Sequence, residues 1–130
     1  MMRERAAGAK VAHLATVRPD GTPHLVPCCF VLDRDMIYSA IDAKSKSTLA
    51  LQRLENLRWR PAAAVLVDHY DDDWTGLWWV RADGTGRIID GGKEHDRAKS
   101  LLEDKYAQYR RVAIPGAVIA VAFEHRRGWP

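Results

Sequence analysis

The stretch that decides the fold is residues 11–32, VAHLATVRPDGTPHLVPCCFVL, in which two apolar, β-rich runs flank Pro19-Asp20-Gly21. Proline has the φ angle required at the second residue of a tight turn, and glycine accepts the positive φ that a later residue of the turn adopts. Two β-rich runs joined by such a turn predict a β-hairpin. Pro27 in the second run has no amide proton to donate, so that strand is predicted to lie at a sheet edge or to contain a bulge.

The composition is that of one globular domain. The chain has 130 residues, of which 47% are hydrophobic and 28% are charged, and its formal net charge is +3. A chain of this length can bury a substantial core, so we expect residues 1–130 to form a single domain. No apolar run reaches the roughly 20 residues of a membrane span. We therefore expect a cytoplasmic protein that binds no membrane. The mild positive charge alone does not distinguish an anionic ligand from nucleic acid or from neither, and we expect no nucleic-acid partner.

Beyond the hairpin, strand and helix patterns follow one another without regular alternation, which argues against a doubly wound sheet. We predict strands over residues 11–18, 24–32, 36–40, 62–67, 77–90 and 117–123, the last continuing toward Trp129. We predict helices over residues 3–10, from about 45 for three turns, and over 94–109. Six or seven strands with two or three helices outside them predict a mainly β fold, a split β-barrel.

The second predicted helix begins with Lys44-Ser45-Lys46-Ser47-Thr48. A helix start offers free amide protons and a positive dipole end, and two lysines with three hydroxyls add charge and donors. This segment is therefore either a phosphate site or a solvated helix start with incidental lysines. Further along the same helix, Gln52, Arg53 and Glu55 are predicted to face water.

Residues 68–75, DHYDDDWT, are predicted to form a polar loop. Carboxylates beside His69 could bind a metal ion, but no second histidine lies at ligand spacing, so we expect none. The adjacent cysteines, Cys28 and Cys29, point to opposite faces of a strand and are poorly placed for a disulfide. We interpret both as reduced core thiols.

Five tryptophans are many for a chain of this length. Trp78 and Trp79 are neighbours on a predicted strand, so their rings point to opposite faces. One ring can join the core while the other lines a subunit interface or stacks on a planar ligand. A purely structural role for these rings is the alternative.

Taken together, residues 11–27, residues 66–74 (LVDHYDDDW), residues 77–84 (LWWVRADG) and the final Gly128-Trp129 resemble a known family. They are similar to the flavin and deazaflavin oxidoreductases of the split β-barrel fold. These include the FMN-binding, pyridoxamine-phosphate-oxidase-like proteins, and the likeness is greatest to their actinobacterial branch that uses coenzyme F420.

The resemblance implies a homodimer with two cofactors in clefts between the subunits. It places some residues beside the tricyclic ring or along its cleft: Pro27, Cys28, Cys29, Tyr38, Ser39 and Ala40. It places others at the cofactor phosphate: Lys44, Lys46 and Thr48. The partner subunit is expected to contribute aromatic residues, with Trp78 or Trp79 and His69 as candidates.

The implied activity is hydride transfer from reduced F420 to an unsaturated, conjugated small-molecule acceptor. F420 carries a phosphodiester and an acidic oligoglutamate tail, which match a basic helix start backed by Arg53, Arg58 and Arg60. His69 is the only candidate proton donor, and a structural role for it is the alternative. Two other functions stay open: an FMN-dependent enzyme of the pyridoxamine-phosphate-oxidase type, and a carrier that stores F420 or a hydrophobic ligand.

Overall fold

The computed structural model describes residues 2–41, 48–112, 114 and 116–129, which form one antiparallel sheet with helices against it. The described strands are β1 Ala12–Val17, β2 Pro23–Cys28, β3 Val31–Asp33, β4 Met36–Ala40, β5 Ala62–His69, β6 Trp78–Ile89 and β7 Val118–Trp129. The described helices are α1 Met2–Gly8, α2 Thr48–Trp59, α3 Lys93–Lys105 and α4 Ala107–Arg111, with a single 3-10 turn over Trp74–Gly76. Within these residues, no helix has the length and apolar character needed to cross a bilayer.

The strand order shows how the sheet closes. It runs β2-β1-β5-β6-β7-β4-β3, so β2 and β3 lie at opposite edges although they follow each other in the chain. Only Cys29 and Phe30 separate them. Three Cα steps span at most about 11 Å, so the two edges must approach each other and the sheet must curl. The result is a barrel that is open between β2 and β3, which confirms the predicted split β-barrel.

The hairpin prediction is confirmed in its turn and corrected in its second arm. The Gly21 amide donates to the Arg18 carbonyl at 2.8 Å, and Gly21 has φ of 91°. However, residues 24–32 do not form one strand, because the pairing of β2 ends at Cys28. The Phe30 amide donates instead to the hydroxyl of Tyr106, at 3.0 Å. Pro27 does lie on an edge strand, as predicted.

Tyr106 explains a second correction, because the predicted helix over residues 94–109 is broken at this residue. Tyr106 has extended backbone angles, φ −118° and ψ 111°, and separates α3 from α4. Its hydroxyl lies 2.9 Å from the Lys10 carbonyl oxygen and 3.0 Å from that of Phe30. The break therefore lets one side chain join the N-terminal segment to the β2–β3 crossover. Because of this break, the described residues form four helices, whereas two or three were predicted.

Lys105, the last residue of α3, packs its side chain at the same crossover. Its Nζ lies 3.8 Å from the centroid of the Phe30 ring. This Nζ is buried and has no hydrogen-bond partner among the residues that the structure describes. Burial, reinforced by the charge of Lys10, lowers the pKa of Lys105 to about 8.

Replacing Lys105 by methionine is expected to change how stability depends on pH. The folded-state pKa of about 8 is below the ordinary value of 10.5, so between these values unfolding takes up a proton. Wild-type stability therefore gains a contribution that grows as the pH rises from about 8 to 10.5. Lys105→Met should be more stable than wild type at pH 7, and this advantage should shrink toward pH 10.5. Urea titrations of both proteins at several pH values measure this difference in the free energy of unfolding, with Lys99→Met as the control. A difference that does not change with pH contradicts the account.

The long strand β6 contains an irregularity at its glycines. Its register against β7 shifts between Asp83 and Gly84. At Gly86 the amide donates to the Pro61 carbonyl at 2.7 Å, and a Cβ atom built there would lie 2.6 Å from Leu57 Cδ2. Helix α2 therefore approaches the barrel wall where the wall has no side chain, and buried Leu57 fills that space.

Gly86→Ala is expected to lower the free energy of unfolding by about 1–3 kcal/mol, because the new methyl group overlaps the Leu57 side chain. In a Leu57→Ala background the same substitution should cost less, since the overlapping atoms are gone. Chemical denaturation of the four proteins of this double-mutant cycle measures the coupling. Gly8→Ala is the control, because a Cβ atom added at Gly8 would have nothing within 4 Å of it. Equal losses in both backgrounds would contradict this packing.

Candidate functional site

Residues 27–29 lie at the split of the barrel. Cys28 and Cys29 are both partly buried free thiols, in agreement with the prediction. The Ser39 hydroxyl, on β4, donates to the Cys29 carbonyl at 2.8 Å and so ties the β2–β3 crossover to β4. Burial raises the pKa of the Cys28 thiol. A protonated thiol is a poor nucleophile, so burial disfavours nucleophilic chemistry at Cys28.

Arg53 lies beside this segment, which corrects the prediction that its side chain faces water. Its Nε is buried and has no hydrogen-bond partner within the described part of the chain. Burial lowers the pKa of His24 on β2, and the charges of Arg18 and Arg53 lower it further. The Arg53 charge also acts on Cys28, where it opposes the effect of burial. A cation with an unused donor thus lies close to both His24 and Cys28.

A chain of buried amides fixes the helix that carries Arg53. Asn56 is fully buried, and its Nδ2 donates to the Thr16 hydroxyl on β1 at 3.0 Å. The Asn56 Oδ1 accepts a hydrogen bond from Gln52 Nε2 at 2.7 Å. The bond to Thr16 holds α2 against β1 in one rotational setting, because a buried amide that loses its partner costs about 1–3 kcal/mol, and the bond to Gln52 within α2 fixes the Asn56 side chain. The direction of Arg53 follows from this setting.

The aromatic candidates come together at the other end of β5 and β6. Strand β5 continues through Asp68 and His69, which pair with Trp79 and Trp78, so the predicted loop is corrected to begin at Tyr70. The rings of His69 and Trp78 are stacked, with centroids 5.9 Å apart and planes at 21°. His69, Trp78 and Trp79 all line one cleft of about 460 Å³.

A second cavity of about 410 Å³ adjoins this cleft beside the N-terminal segment. It shares Asp68, His69 and Trp78 with the first, so the stacked pair belongs to the walls of both. Three basic side chains enter its lining: Arg5, Lys10 and His13. One continuous surface therefore combines aromatic rings with positive charges.

His13 lies between the segment at the split, residues 27–29, and the aromatic residues of β5 and β6. This histidine was not singled out in the sequence analysis. On β1 it pairs with Pro27 on one side and with Leu66 on the other. Its Nδ1 lies 3.9 Å from an Asp68 carboxylate oxygen and, within the described residues, is buried without a hydrogen bond. The side chain is 39% exposed, so its remaining edge, which includes Nε2, reaches the second cavity. The alternation of residues along a strand does not mark such a histidine as a site residue.

The acidic residues after β5 make hydrogen bonds within the turn that follows this strand. Asp71 Oδ1 accepts the Asp73 amide at 3.0 Å, and Asp73 Oδ1 accepts both the amide and the hydroxyl of Thr75. These bonds to Thr75 lower the pKa of Asp73. In the part of the chain that the structure describes, no three His, Cys, Asp or Glu side chains are arranged to hold a metal ion.

Comparison with known proteins decides the family. The family model described as pyridoxamine 5'-phosphate oxidase matches residues 1–130, the whole chain. The chain belongs to the pyridoxamine 5'-phosphate oxidase family. Oxidoreductases occur in this family, and its fold is the split barrel described above. A search of curated proteins found no match.

Solved structures share the fold of this pyridoxamine 5'-phosphate oxidase family member at low sequence identity. A conserved hypothetical protein from Mycobacterium tuberculosis is 21% identical with a TM-score of 0.78, over 99% of this chain and 84% of that one. HutZ, described as a haem storage protein from Vibrio cholerae, is 12% identical with a TM-score of 0.73, over 98% and 89%. An FAD binding protein from Mycobacterium smegmatis is 17% identical with a TM-score of 0.64, over 98% and 90%. Identities this low show a shared fold alone.

The other residues that were predicted to contact the cofactor lie on β4 and at the start of α2. Tyr38, Ser39 and Ala40 are all buried. The Tyr38 hydroxyl donates to Glu94 Oε2 at 2.8 Å, and burial, with this bond, raises the pKa of Tyr38 to about 12. The role of β4 along a cofactor cleft stays a prediction. Lys44 and Lys46 lie outside the described residues, and Thr48 begins α2.

Proposed function

We propose that this family member is an F420-dependent oxidoreductase, which transfers a hydride from reduced coenzyme F420 to an unsaturated, conjugated acceptor. The observation that supports this most strongly is Arg53, a cation beside Cys28 whose buried Nε has no hydrogen-bond partner among the residues that the structure describes. An unsatisfied buried donor of this kind suits an anionic ligand group. F420 has several such groups, a phosphodiester and the carboxylates of its tail.

The residues around the split fit a cofactor with a flat ring and a phosphate. Arg53, Lys44 and Lys46 would hold the phosphate, together with the start of α2 at Thr48. The backbone of residues 27–29, tied to β4 by Ser39, would lie beside the ring. When bound, the reduced cofactor supplies the hydride. The contribution of the protein is then to orient the two reactants and to exclude water.

The aromatic cleft supplies a place for the acceptor. Trp78 and Trp79 are only partly buried, and His69 stacks on Trp78 at its wall. Each hydride added to an acceptor must be matched by one proton. His69 was the candidate donor from the sequence, and His13 is a second one, because its side chain lines the cavity that adjoins this cleft.

We also propose that the protein is a homodimer whose cofactor clefts lie between subunits. The strand register places several apolar or small side chains on the outward face of β2, β1, β5 and β6: Leu25, Ala15, Ala64, Leu66 and Trp79. Leu25 is 67% exposed in the single chain. Such a surface suits burial against a second copy.

Light scattering at micromolar concentration tests the dimer. We expect a mass twice that of the 14.7 kDa chain. Leu25→Glu should shift the protein to the monomer and weaken cofactor binding, because a charge on this face opposes its burial. A wild-type protein with the mass of one chain would remove the proposal.

An FMN-dependent enzyme of the pyridoxamine-phosphate-oxidase type is the second candidate, supported by the family model and by the FAD binding protein of the same fold. FMN has one terminal phosphate and no acidic tail, so it needs fewer cations. Such a protein should purify with a yellow flavin that oxygen reoxidises. A colourless protein that binds F420 would exclude this function.

A carrier is the third candidate, supported by the haem storage protein that shares the fold and by the open aromatic cleft. A carrier of F420 or of a hydrophobic ligand binds without turning it over. Steady-state oxidation of reduced F420 by any member of a panel of quinones and enones, followed by absorbance, would exclude it. Tight F420 binding without such oxidation would support the carrier over the reductase.

A further inference from the structure

A group of polar side chains lies buried between helix α2 and strands β1 and β2. Thr16 and His24 pair across the two strands, so their side chains share one face of the sheet, and only 2% and 4% of their surfaces are exposed. Asn56 reaches the same face from α2 through its bond to Thr16. Leu25, next to His24, points to the opposite face and is 67% exposed. This polar cluster therefore lies on the side of the sheet away from the proposed dimer face.

Hydrogen bonds within the polar cluster satisfy some of its groups and leave two nitrogen atoms over. Asn56 bonds to both Thr16 and Gln52. His24 Nδ1 and Arg53 Nε are also buried, but neither has a hydrogen-bond partner in the described part of the chain. The Arg53 charge acts on His24, so these two side chains lie close together. Folded proteins seldom leave buried polar atoms unpaired, and two in one cluster indicate a common partner, either a water molecule or an ion.

The charge around these two atoms favours an anion over a water molecule. The charged groups that act on His24 are Arg18 and Arg53, both positive. Asp20 offsets part of the Arg18 charge, and its carboxylate accepts the amide and the hydroxyl of Thr22 at 3.0 and 2.6 Å. Arg53 forms no ion pair with any acidic side chain that the structure describes. Imidazole and guanidinium nitrogens can both donate, and an oxyanion accepts from both while supplying the missing negative charge.

We propose that His24 Nδ1 and Arg53 Nε form a phosphate-binding pair, in which oxygens of one phosphate group accept from both N–H groups. Arg53 is only partly buried, so an anion can reach this side chain from the surface. The inference rests on the proposed function in taking the phosphate of the cofactor as the natural ligand. It goes further by assigning a role to His24 and by linking phosphate binding to the protonation of its ring.

This linkage follows from the surroundings of His24 with and without the anion. In the free protein, burial lowers the pKa of His24, and the charges of Arg18 and Arg53 lower it further, so the ring is neutral at pH 7. A phosphate beside Nδ1 brings the opposite charge and favours the protonated ring. Phosphate binding should therefore take up a proton at His24, and the affinity should fall as the pH rises.

Nuclear magnetic resonance of the cofactor-free protein, with inorganic phosphate as the probe, tests this pair. Phosphate should saturably shift the ring nitrogen signals of His24 and the Nε–H signal of Arg53 together. It should also raise the midpoint of the His24 titration by about 1 pH unit. Sulfate, whose charge is constant over this pH range, should have the same effect. His24→Asn and Arg53→Lys assign the two signals.

The same spectra contain two matched controls. His95 Nε2 lies 2.8 Å from the Gly116 carbonyl oxygen, and Arg97 Nε donates to Asp33 Oδ2 at 2.8 Å. Because both side chains already have partners, their signals should not respond to phosphate at constant ionic strength. Arg97 is the control for a guanidinium, and His95 is the control for an imidazole.

Two replacements of His24 separate hydrogen bonding from packing. His24→Asn places an amide nitrogen near the position of Nδ1, whereas His24→Leu fills a similar volume without a donor. The first should keep most of the phosphate affinity, and the second should lose at least about tenfold, the cost of one hydrogen bond to a charged group. The Arg53 Nε–H signal reports binding in both variants. His95→Leu should leave the affinity unchanged, and circular dichroism checks each fold.

The proposal is overturned if phosphate leaves the His24 and Arg53 signals of wild type unchanged, since a water molecule is then their common partner. It is also overturned if the Arg97 signal shifts as much as that of Arg53, the mark of an adventitious ion only, or if His24→Leu binds phosphate as tightly as His24→Asn. Phosphate binding at the pair without any F420 binding keeps this site and loses the proposed function. Equal F420 affinity of wild type and His24→Leu loses only the site.

Discussion

Replacing Phe30 by alanine is expected to lower the free energy of unfolding by about 3–5 kcal/mol, the usual cost of removing a large core aromatic side chain. Phe30 is fully buried although only Cys29 separates it from the end of β2. Its ring packs in the core beneath the split and contacts the Lys105 side chain. Urea denaturation followed by circular dichroism measures the loss.

Trp59→Ala is the matched control for this prediction, because it truncates an aromatic side chain that is 68% exposed. A surface truncation should change stability by about 0.5 kcal/mol or less. Phe30→Leu, which keeps most of the buried volume, should fall between the two. If Phe30→Ala costs no more than Trp59→Ala, the crossover at residues 29–30 does not hold the barrel together.

Replacing Lys44 and Lys46 together by alanine is expected to weaken F420 binding about a hundredfold or more. Each lost charge-assisted hydrogen bond to a phosphate costs about 1.5–3 kcal/mol, which is at least tenfold in affinity. Arg53, beside Cys28, would remain as the third cation and keep residual binding. Fluorescence titration of the coenzyme into wild type and variant measures the difference.

Lys93→Ala with Lys99→Ala on α3 removes the same charge from another surface and should leave F420 affinity unchanged. The thermal unfolding midpoint of the Lys44/Lys46 variant should stay near that of wild type, because solvated lysines contribute little to stability. If F420 affinity does not change, the two lysines do not contact the phosphate and the helix start is simply solvated.

The local parts of the fold were predictable because short-range chemistry determines them. The turn at Pro19-Asp20-Gly21 and the strand β4 both follow from residues whose local preferences agree with the backbone geometry found there. The place of the split was not predictable, because the predicted strand over residues 24–32 ends at Cys28 and the Phe30 amide bonds instead to Tyr106, 76 residues away. A helical pattern over residues 94–109 also gives no sign that Tyr106 leaves the helix to make that bond.

The candidate site was predictable in its aromatic half and less so in its polar half. Trp78, Trp79 and His69 stood out by composition, and strand pairing brings them together. Helical periodicity assigns Asn56 to the polar face of α2, but its amide is buried and bonds to Thr16 on β1. This bond fixes how α2 is rotated against the sheet, and the direction of Arg53 follows from that rotation. His13 acquires its position only when β1 pairs with β5, which no spacing in the sequence reveals.

The most direct test of the account is a side-by-side titration of the purified protein with F420 and with FMN at the same ionic strength. The account predicts that F420 binds with micromolar or tighter affinity, that FMN binds more weakly, and that added salt weakens F420 more, because it makes more ionic contacts. Saturable binding of FMN with no detectable binding of F420 would contradict it.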